Sequence, residues 1–221
     1  MIPREREDRL YKSGKRCEIA KEEGILFGYL DKISDRGSRV LDIGAGSGDI
    51  TYKIKEKGFS VTGVDFSEEG VKLTRRLGLN CLVVDLDNGI PFDDGVFDIV
   101  WAGDIIEHLF DPIFVLKEVN RVLAPGGALL CTIPYDLRIT TRLRVLLGQS
   151  YQESVYRKYG QYKHHTFFSI PLMKYMFREA SLQIQEMRFV IKFPKLNKEF
   201  VTKNRAVIGF AKTMAIAAIS E

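Results

Sequence analysis

The chain has 221 residues, 45% of them hydrophobic and 28% charged, which suits one globular domain and excludes a disordered chain or a disulfide scaffold. Lysine and arginine number 33 against 29 acids, a formal charge of +4, too small by itself to mark a nucleic-acid or membrane binder. Cys17, Cys81 and Cys131 are odd in number, far apart and without a C-x-x-C pair, so they fit a reducing compartment and argue against structural zinc. The run MIPREREDRLYKSGKR is too charged for a secretory signal peptide, and the uncharged stretch 123–135 is short and broken by proline and glycine. The expectation is a cytoplasmic, single-cored protein with no membrane insertion.

Residues 18–33 form an amphipathic segment expected to be a helix leading into the first strand. Short apolar runs then alternate with helix-length amphipathic segments, the rhythm of a parallel sheet with helices on both faces. The expected strands are 39–43, 61–65, 81–84, 97–102 and 128–133. Ser67 before Glu68 and Glu69 places a cap and two acids at a helix start, and Gly78 stops that helix. Asp111-Pro112 is a cap and first-position pair, followed by Ile113, Leu116, Val119, Val122 and Leu123 on one face. Pro125-Gly126-Gly127 ends the helix. After Tyr135 the rhythm breaks. Residues 136–163 carry Arg138, Arg142, Arg144, Arg157, Lys158 and Lys163 against Asp136 and Glu153, and read as an insertion over the sheet edge. Ser169 caps a further helix to about Ala180. Residues 184–193 and 206–213 read as two closing strands joined by a polar turn around 195–204.

The most informative stretch is Val40-Leu41-Asp42-Ile43-Gly44-Ala45-Gly46-Ser47-Gly48, a buried strand running through alternate glycines into a helix. Glycine permits positive φ and close backbone approach to a ligand. A dinucleotide fingerprint needs a third glycine at position 49, which is Asp49, and a Walker loop needs Gly-Lys-Ser/Thr, which is absent. Asp42 would repel a pyrophosphate but suits an ammonium group. Asp65 ends the second strand, where an acid can accept both ribose hydroxyls. Asp85 ends the third, where it can accept from an exocyclic amine.

These residues resemble the class I S-adenosylmethionine-dependent methyltransferases. D-I-G-A-G-S-G, V-D-F-S and V-D-L-D are joined in that likeness by I-P-F-D-D-G-V-F-D-I-V, D-I-I-E-H-L and E-V-N-R-V-L-A-P-G-G, in register over about residues 38–135. The resemblance is to the small-molecule, type 11/12-like branch. It implies a Rossmann-like, doubly wound α/β fold of seven mostly parallel strands, in the order 3-2-1-4-5-7-6 with the last strand antiparallel. It implies one domain over 1–221: a helical cap (1–38), a cofactor-binding half (39–135), a lid (136–168) and a closing helix and strands (169–221). The cofactor would be S-adenosyl-L-methionine, the product S-adenosyl-L-homocysteine. Gly44, Ala45, Gly46 and Gly48 would wrap its methionine part, with Asp42 toward the ammonium. Asp65 would bind the ribose, and Phe66, Asp85, Leu86 and Ala102 would complete the cofactor site.

Methyl transfer from a sulfonium needs alignment, exclusion of water and, for a hydroxyl acceptor, removal of a proton. The segment Trp101 to His108 lacks the Asn/Asp-Pro-Pro-aromatic motif of base and amide methylation, and no Pro-Cys nucleophile is present. Nucleic acid is therefore not the expected partner. A small-molecule acceptor is, methylated on oxygen or nitrogen, and the basic insertion points to an anionic group on it. RNA or a protein side chain as acceptor, and a non-catalytic cofactor-binding scaffold, stand as alternatives. The candidate acceptor-side residues are Asp104, His108, His164 and His165, with His108 the first candidate base because imidazole titrates near neutrality. Glu107 reads as an acid holding its loop, and Cys131 as core. No spacing in the sequence supplies convergent third and fourth ligands, so no metal is expected.

Overall fold

Buried apolar runs become the centre of a sheet. Residues 39–43 form β1 (Arg39–Ile43), buried at every position but the first, as a strand covered on both faces should be. The computed structural model describes residues 21–33, 39–150, 164–193 and 198–220. Around β1, the strands β2 (Ser60–Asp65), β3 (Asn80–Val83), β4 (Phe97–Gly103) and β5 (Leu123–Pro134) pair in parallel. Helices α2 (Asp49–Glu56), α3 (Glu68–Arg76) and α4 (Pro112–Val122) connect them. The expected caps form. The Ser67 hydroxyl accepts from the Gly70 amide at 3.1 Å, the Asp111 carboxylate from the Phe114 amide at 2.9 Å, and Ser169 from the Leu172 amide at 3.2 Å. Each satisfies an amide that the helix cannot.

Helices cover both faces. On one, α1 (Lys21–Lys32), the described part of the expected first helix, packs with α2 through Leu26, Leu30 and Ile54 onto Ile99, Trp101 and Leu130. On the other, α4 and α6 (Ile170–Glu179) bring Leu116, Met173 and Phe177 against Val100, Leu129 and Ile216. Each such fully buried side chain contributes about 1.5–3 kcal/mol relative to exposure.

The carboxyl-terminal third corrects the expected topology. Among the described residues the sheet has eight strands, in the order β3-β2-β1-β4-β5-β8-β6-β7, and not seven. The expected polar turn at 195–204 holds β7 (Lys198–Thr202), paired antiparallel with the outer edge of β6 (Leu182–Phe193). The last strand lies later than expected: β8 is Ala211–Ser220, and Arg205–Phe210 is a 3₁₀ turn. Alanine is depleted in strands, so AKTMAIAAIS reads poorly as one. Sandwiched antiparallel between β5 and β6 and covered on both faces, those small side chains are what fits. The Pro125-Gly126-Gly127 stop also lies inside β5, whose pairing with β4 shifts register between Phe97 and Ile99.

Of the expected lid, α5 (Ile139–Leu146) is described, with Leu143, Val145, Leu146 and Leu147 exposed. Residues 151–163, including Arg157, Lys158, Lys163 and the tyrosines among them, lie outside the described residues. Among the described residues no helix is long and apolar enough to cross a membrane. Because β1 to β4 run in parallel, all their carboxyl ends meet at one edge. The chain winds outward from β1 to β2 and β3, then returns to β4 on the other side. Such a reversal leaves a crevice above β1 and β4.

Candidate active site

The glycine turn is tied to the second strand by one carboxylate. Gly44 and Ala45 both donate to the Val64 carbonyl, at 2.8 and 3.0 Å. Asp65 Oδ2 accepts from the Gly46 amide and Oδ1 from the Ser67 amide, both at 2.8 Å. Asp65 thus organises the turn itself, beyond the ribose contact expected of it; each oxygen keeps acceptor capacity for a further donor. Gly44, Gly46 and Gly48 have φ of +79°, +56° and +84°. Gly48 does not line the cleft. It starts α2, and a Cβ there would stand 2.8 Å from Thr74 Oγ1 and 3.0 Å from Thr74 Cα. The missing side chain there lets α2 and α3 approach.

Asp42 lies beneath the turn, 2% exposed, and accepts from the Thr51 hydroxyl at 2.6 Å. Burial pushes its carboxyl up to about 7; the Thr51 hydrogen bond opposes this and the Asp65 charge adds to it. Asp85 caps the short 3₁₀ turn Leu86–Asn88, accepting from the Asp87 amide at 3.2 Å and the Asn88 side chain at 3.0 Å. Asp87, which sequence reasoning missed, accepts from the Phe110 amide at 3.0 Å and so joins this turn to the loop after β4.

Above these strand ends lies a cleft of 380 Å³, within the range of small-ligand sites. Of the expected cofactor residues, Asp42, Gly44, Ala45, Gly46, Asp65, Phe66, Asp85 and Leu86 line it. Ala102 does not: it is fully buried in the core on the other face of β4, while its neighbours Trp101 and Gly103 reach the cleft. Strand alternation decides that. Glu23 of α1 also lines the cleft, and nothing in its sequence position announces this. Seven acids are among the described lining residues (Glu23, Asp42, Asp49, Asp65, Asp85, Asp87 and Asp104), with no lysine or arginine. Such a wall favours a cationic ligand and opposes phosphate.

The opposite side is built from the loop after β4, to which His165 and Thr166 are tied through their amides. Asp104 lines the cleft with φ of +49°, a conformation uncommon outside glycine. Its amide donates to the Thr132 hydroxyl at 2.9 Å, and that hydroxyl donates back to Asp104 Oδ1 at 2.8 Å. His108 lines the cleft; His164 and His165 are not among its lining residues. The His164 ring meets His108 edge-on at 5.1 Å, and His165 stacks on Phe110 at 4.5 Å. Burial lowers the His165 pKa. Glu107 is 2% exposed, and burial, with the Asp104 and Asp136 charges adding to it, holds its carboxyl well above the usual range. Its carbonyl accepts from the amides of His165 at 2.8 Å and Thr166 at 3.4 Å, stitching the two segments together. Cys131 has no exposure and burial pushes its thiol up, as befits core.

Residues 41–131 match the family model of the methyltransferase domain. A demethylmenaquinone methyltransferase of Staphylococcus carnosus is 39% identical over 103 residues, 43% of this chain and 43% of its own; the chain thus spans less than half the length of the curated relatives it matches. A solved S-adenosylmethionine-dependent methyltransferase of Thermotoga maritima is 25% identical, covers 83% of this chain and 82% of its own, and superposes with a TM-score of 0.64. Another from Mesorhizobium loti shares the fold at 16% identity, 90% and 98% coverage and a TM-score of 0.68.

Proposed function

For a chain whose residues 41–131 match the family model of the methyltransferase domain, we propose the activity of a class I S-adenosylmethionine-dependent methyltransferase acting on an oxygen or nitrogen of a small molecule. The observation that carries this reading is the wall of seven acids, with no lysine or arginine among the described lining residues, set over a turn of three positive-φ glycines. An amino-acid sulfonium fits that wall and a dinucleotide does not. S-adenosylmethionine, when bound, supplies a methyl group on a sulfur that is already a good leaving group.

The chain's residues do the rest. Gly44 to Gly46 bring backbone close to the methionine part, with Asp42 beneath as the counter-charge for its ammonium. Asp65 takes the ribose hydroxyls, and Phe66, Asp85 and Leu86 frame the adenine. Asp104 and His108, facing the cleft from the other side, meet the acceptor; His108 is placed to hold or move its proton, with the His164 ring edge-on to it. The acid wall favours a neutral acceptor over an anionic one. Arg142, expected to attract an anion, is instead turned back onto the Leu137 carbonyl at 3.0 Å and the Tyr135 hydroxyl at 3.3 Å. The same wall opposes an RNA backbone.

The test is transfer of labelled methyl from S-adenosylmethionine to a panel of phenols, quinols and amines, with calorimetry of S-adenosylhomocysteine alongside. Turnover on at least one acceptor and saturable product binding are expected. Asp65→Ala should weaken that binding by about 2–4 kcal/mol, since two amides of the turn lose their acceptor together with the ribose. Product binding without turnover on any acceptor would leave a scaffold; absence of binding would end the reading altogether.

A further inference from the structure

Glu107, His108 and His164 each offer a ligand atom, and these atoms all lie within 4.8 Å of one another. The grouping cannot be found from spacing, because His164 arrives from a distant segment. Its approach is held independently of the side chains, by the His165 and Thr166 amides donating to the Glu107 carbonyl. Glu107 Oε2 is buried and has no hydrogen-bond partner among the described residues. A buried carboxylate oxygen in that condition is costly unless a proton or a cation meets it. Asp104 and Asp136 add negative charge around it, so the surroundings reward a cation.

We propose that Glu107, His108 and His164 bind a divalent first-row transition ion at the acceptor side of the cleft. Two imidazoles and one carboxylate are the donor set that such ions favour over magnesium or calcium. Bonds of about 2.0–2.1 Å to a zinc-like ion place tetrahedral donors roughly 3.4 Å apart, so the three side chains close by little more than an ångström. Three protein ligands leave a coordination position open, and His108, the cleft-lining member, sets that position toward the acceptor. With the ion bound, His108 is a ligand and no longer takes the proton; an acceptor hydroxyl bound there releases its proton to water more readily, and its oxygen is left as the nucleophile. That role rests on the methyl-transfer reading; the binding of the ion does not.

The experiment uses the full chain, stripped with chelator and titrated with Zn²⁺ and, separately, with Co²⁺ followed by its visible absorption. S-adenosylhomocysteine calorimetry is run on the same samples. One ion per chain is expected, with a cobalt spectrum showing nitrogen ligation. His164→Ala should weaken ion binding about 100-fold or more, a larger loss than the 10–100-fold typical of outer-shell partners, and leave S-adenosylhomocysteine affinity unchanged. Glu107→Gln should act likewise; should that buried position fail to fold, the half-buried His164 decides. No saturable ion binding, or binding untouched in His164→Ala, overturns the proposal and leaves Glu107 a protonated structural acid. Ion binding without S-adenosylhomocysteine binding would instead sink the methyl-transfer reading alone.

Discussion

The two walls of the cleft are built in opposite ways. The wall formed by the ends of β1, β2 and β3 is held by short, repeated devices: a turn, a carboxylate on its amides, a cap. Asp65 alone receives the Gly46 and Ser67 amides, and every group involved sits within a few residues of a strand end. The wall formed by the loop after β4 is stitched from segments far apart in the chain, through the Glu107 carbonyl, the His108–His164 ring pair and the Phe110–His165 stack. The first wall therefore stands or falls with local backbone geometry, the second with how the chain returns to it. The difference can be broken from either side.

The largest effect belongs to the first wall. Gly48→Ala adds a Cβ against the backbone of α3 at positive φ, whereas at Gly58, also at positive φ, nothing stands within 4 Å. Gly58→Ala should cost only the conformational term, about 1–2 kcal/mol, and Gly48→Ala should cost roughly 3 kcal/mol or more, overpacking included. Denaturant midpoints at unchanged slope measure both. Equal losses would show that α2 and α3 yield freely and that the turn is less fixed than its geometry.

Next comes the buried acid under the turn. The folded-state pKa of Asp42 is raised to about 7 from an ordinary 3.8, so the folded state binds the proton more tightly. The stability it confers is full below about pH 4, is lost as pH rises toward 7 and changes little above. The slope is at most about 1.4 kcal/mol per pH unit. Glu107 acts with the same sign. Asp42→Asn, which keeps the Thr51 hydrogen bond, should flatten the slope between pH 4 and 7 without abolishing it. An unchanged slope would mean that Asp42 is ionised in the fold.

The smallest effect sharpens the second wall. Phe110→Ala removes the ring stacked on His165, a residue already exposed, and takes away part of what shields the imidazole from water. Its depressed pKa should climb back toward the ordinary value by less than about one unit, read by NMR titration. S-adenosylhomocysteine affinity should change far less than in Asp65→Ala. A static His165 pKa would assign its depression to some other neighbour.

Much of the first wall is legible in the residues themselves. Glycines with an acid two residues ahead of the first, and acids closing successive strands, specify the turn and the charge of the wall together. What escapes is which member of a motif faces the cleft: Gly48 and Ala102 belong to packing because of helix approach and strand alternation. The closing strands escape for a different reason. The small side chains of β8 become strand residues only because β5 and β6 stand on either side.

By itself the amino-acid sequence determines that this chain makes a helix-covered sheet, parallel through its first five strands, whose first turn is built of glycines and flanked by strand-end acids. Glycine φ preferences, capping groups and strand-end acids act over a few residues, so their spacing carries the information. Only the tertiary structure decides that Glu23 reaches the cleft from α1, that an eighth strand extends the sheet, and that His164 meets Glu107 and His108. Those are contacts between segments distant in the chain, set by how whole elements pack, and no local pattern of residues encodes which distant side chain will arrive.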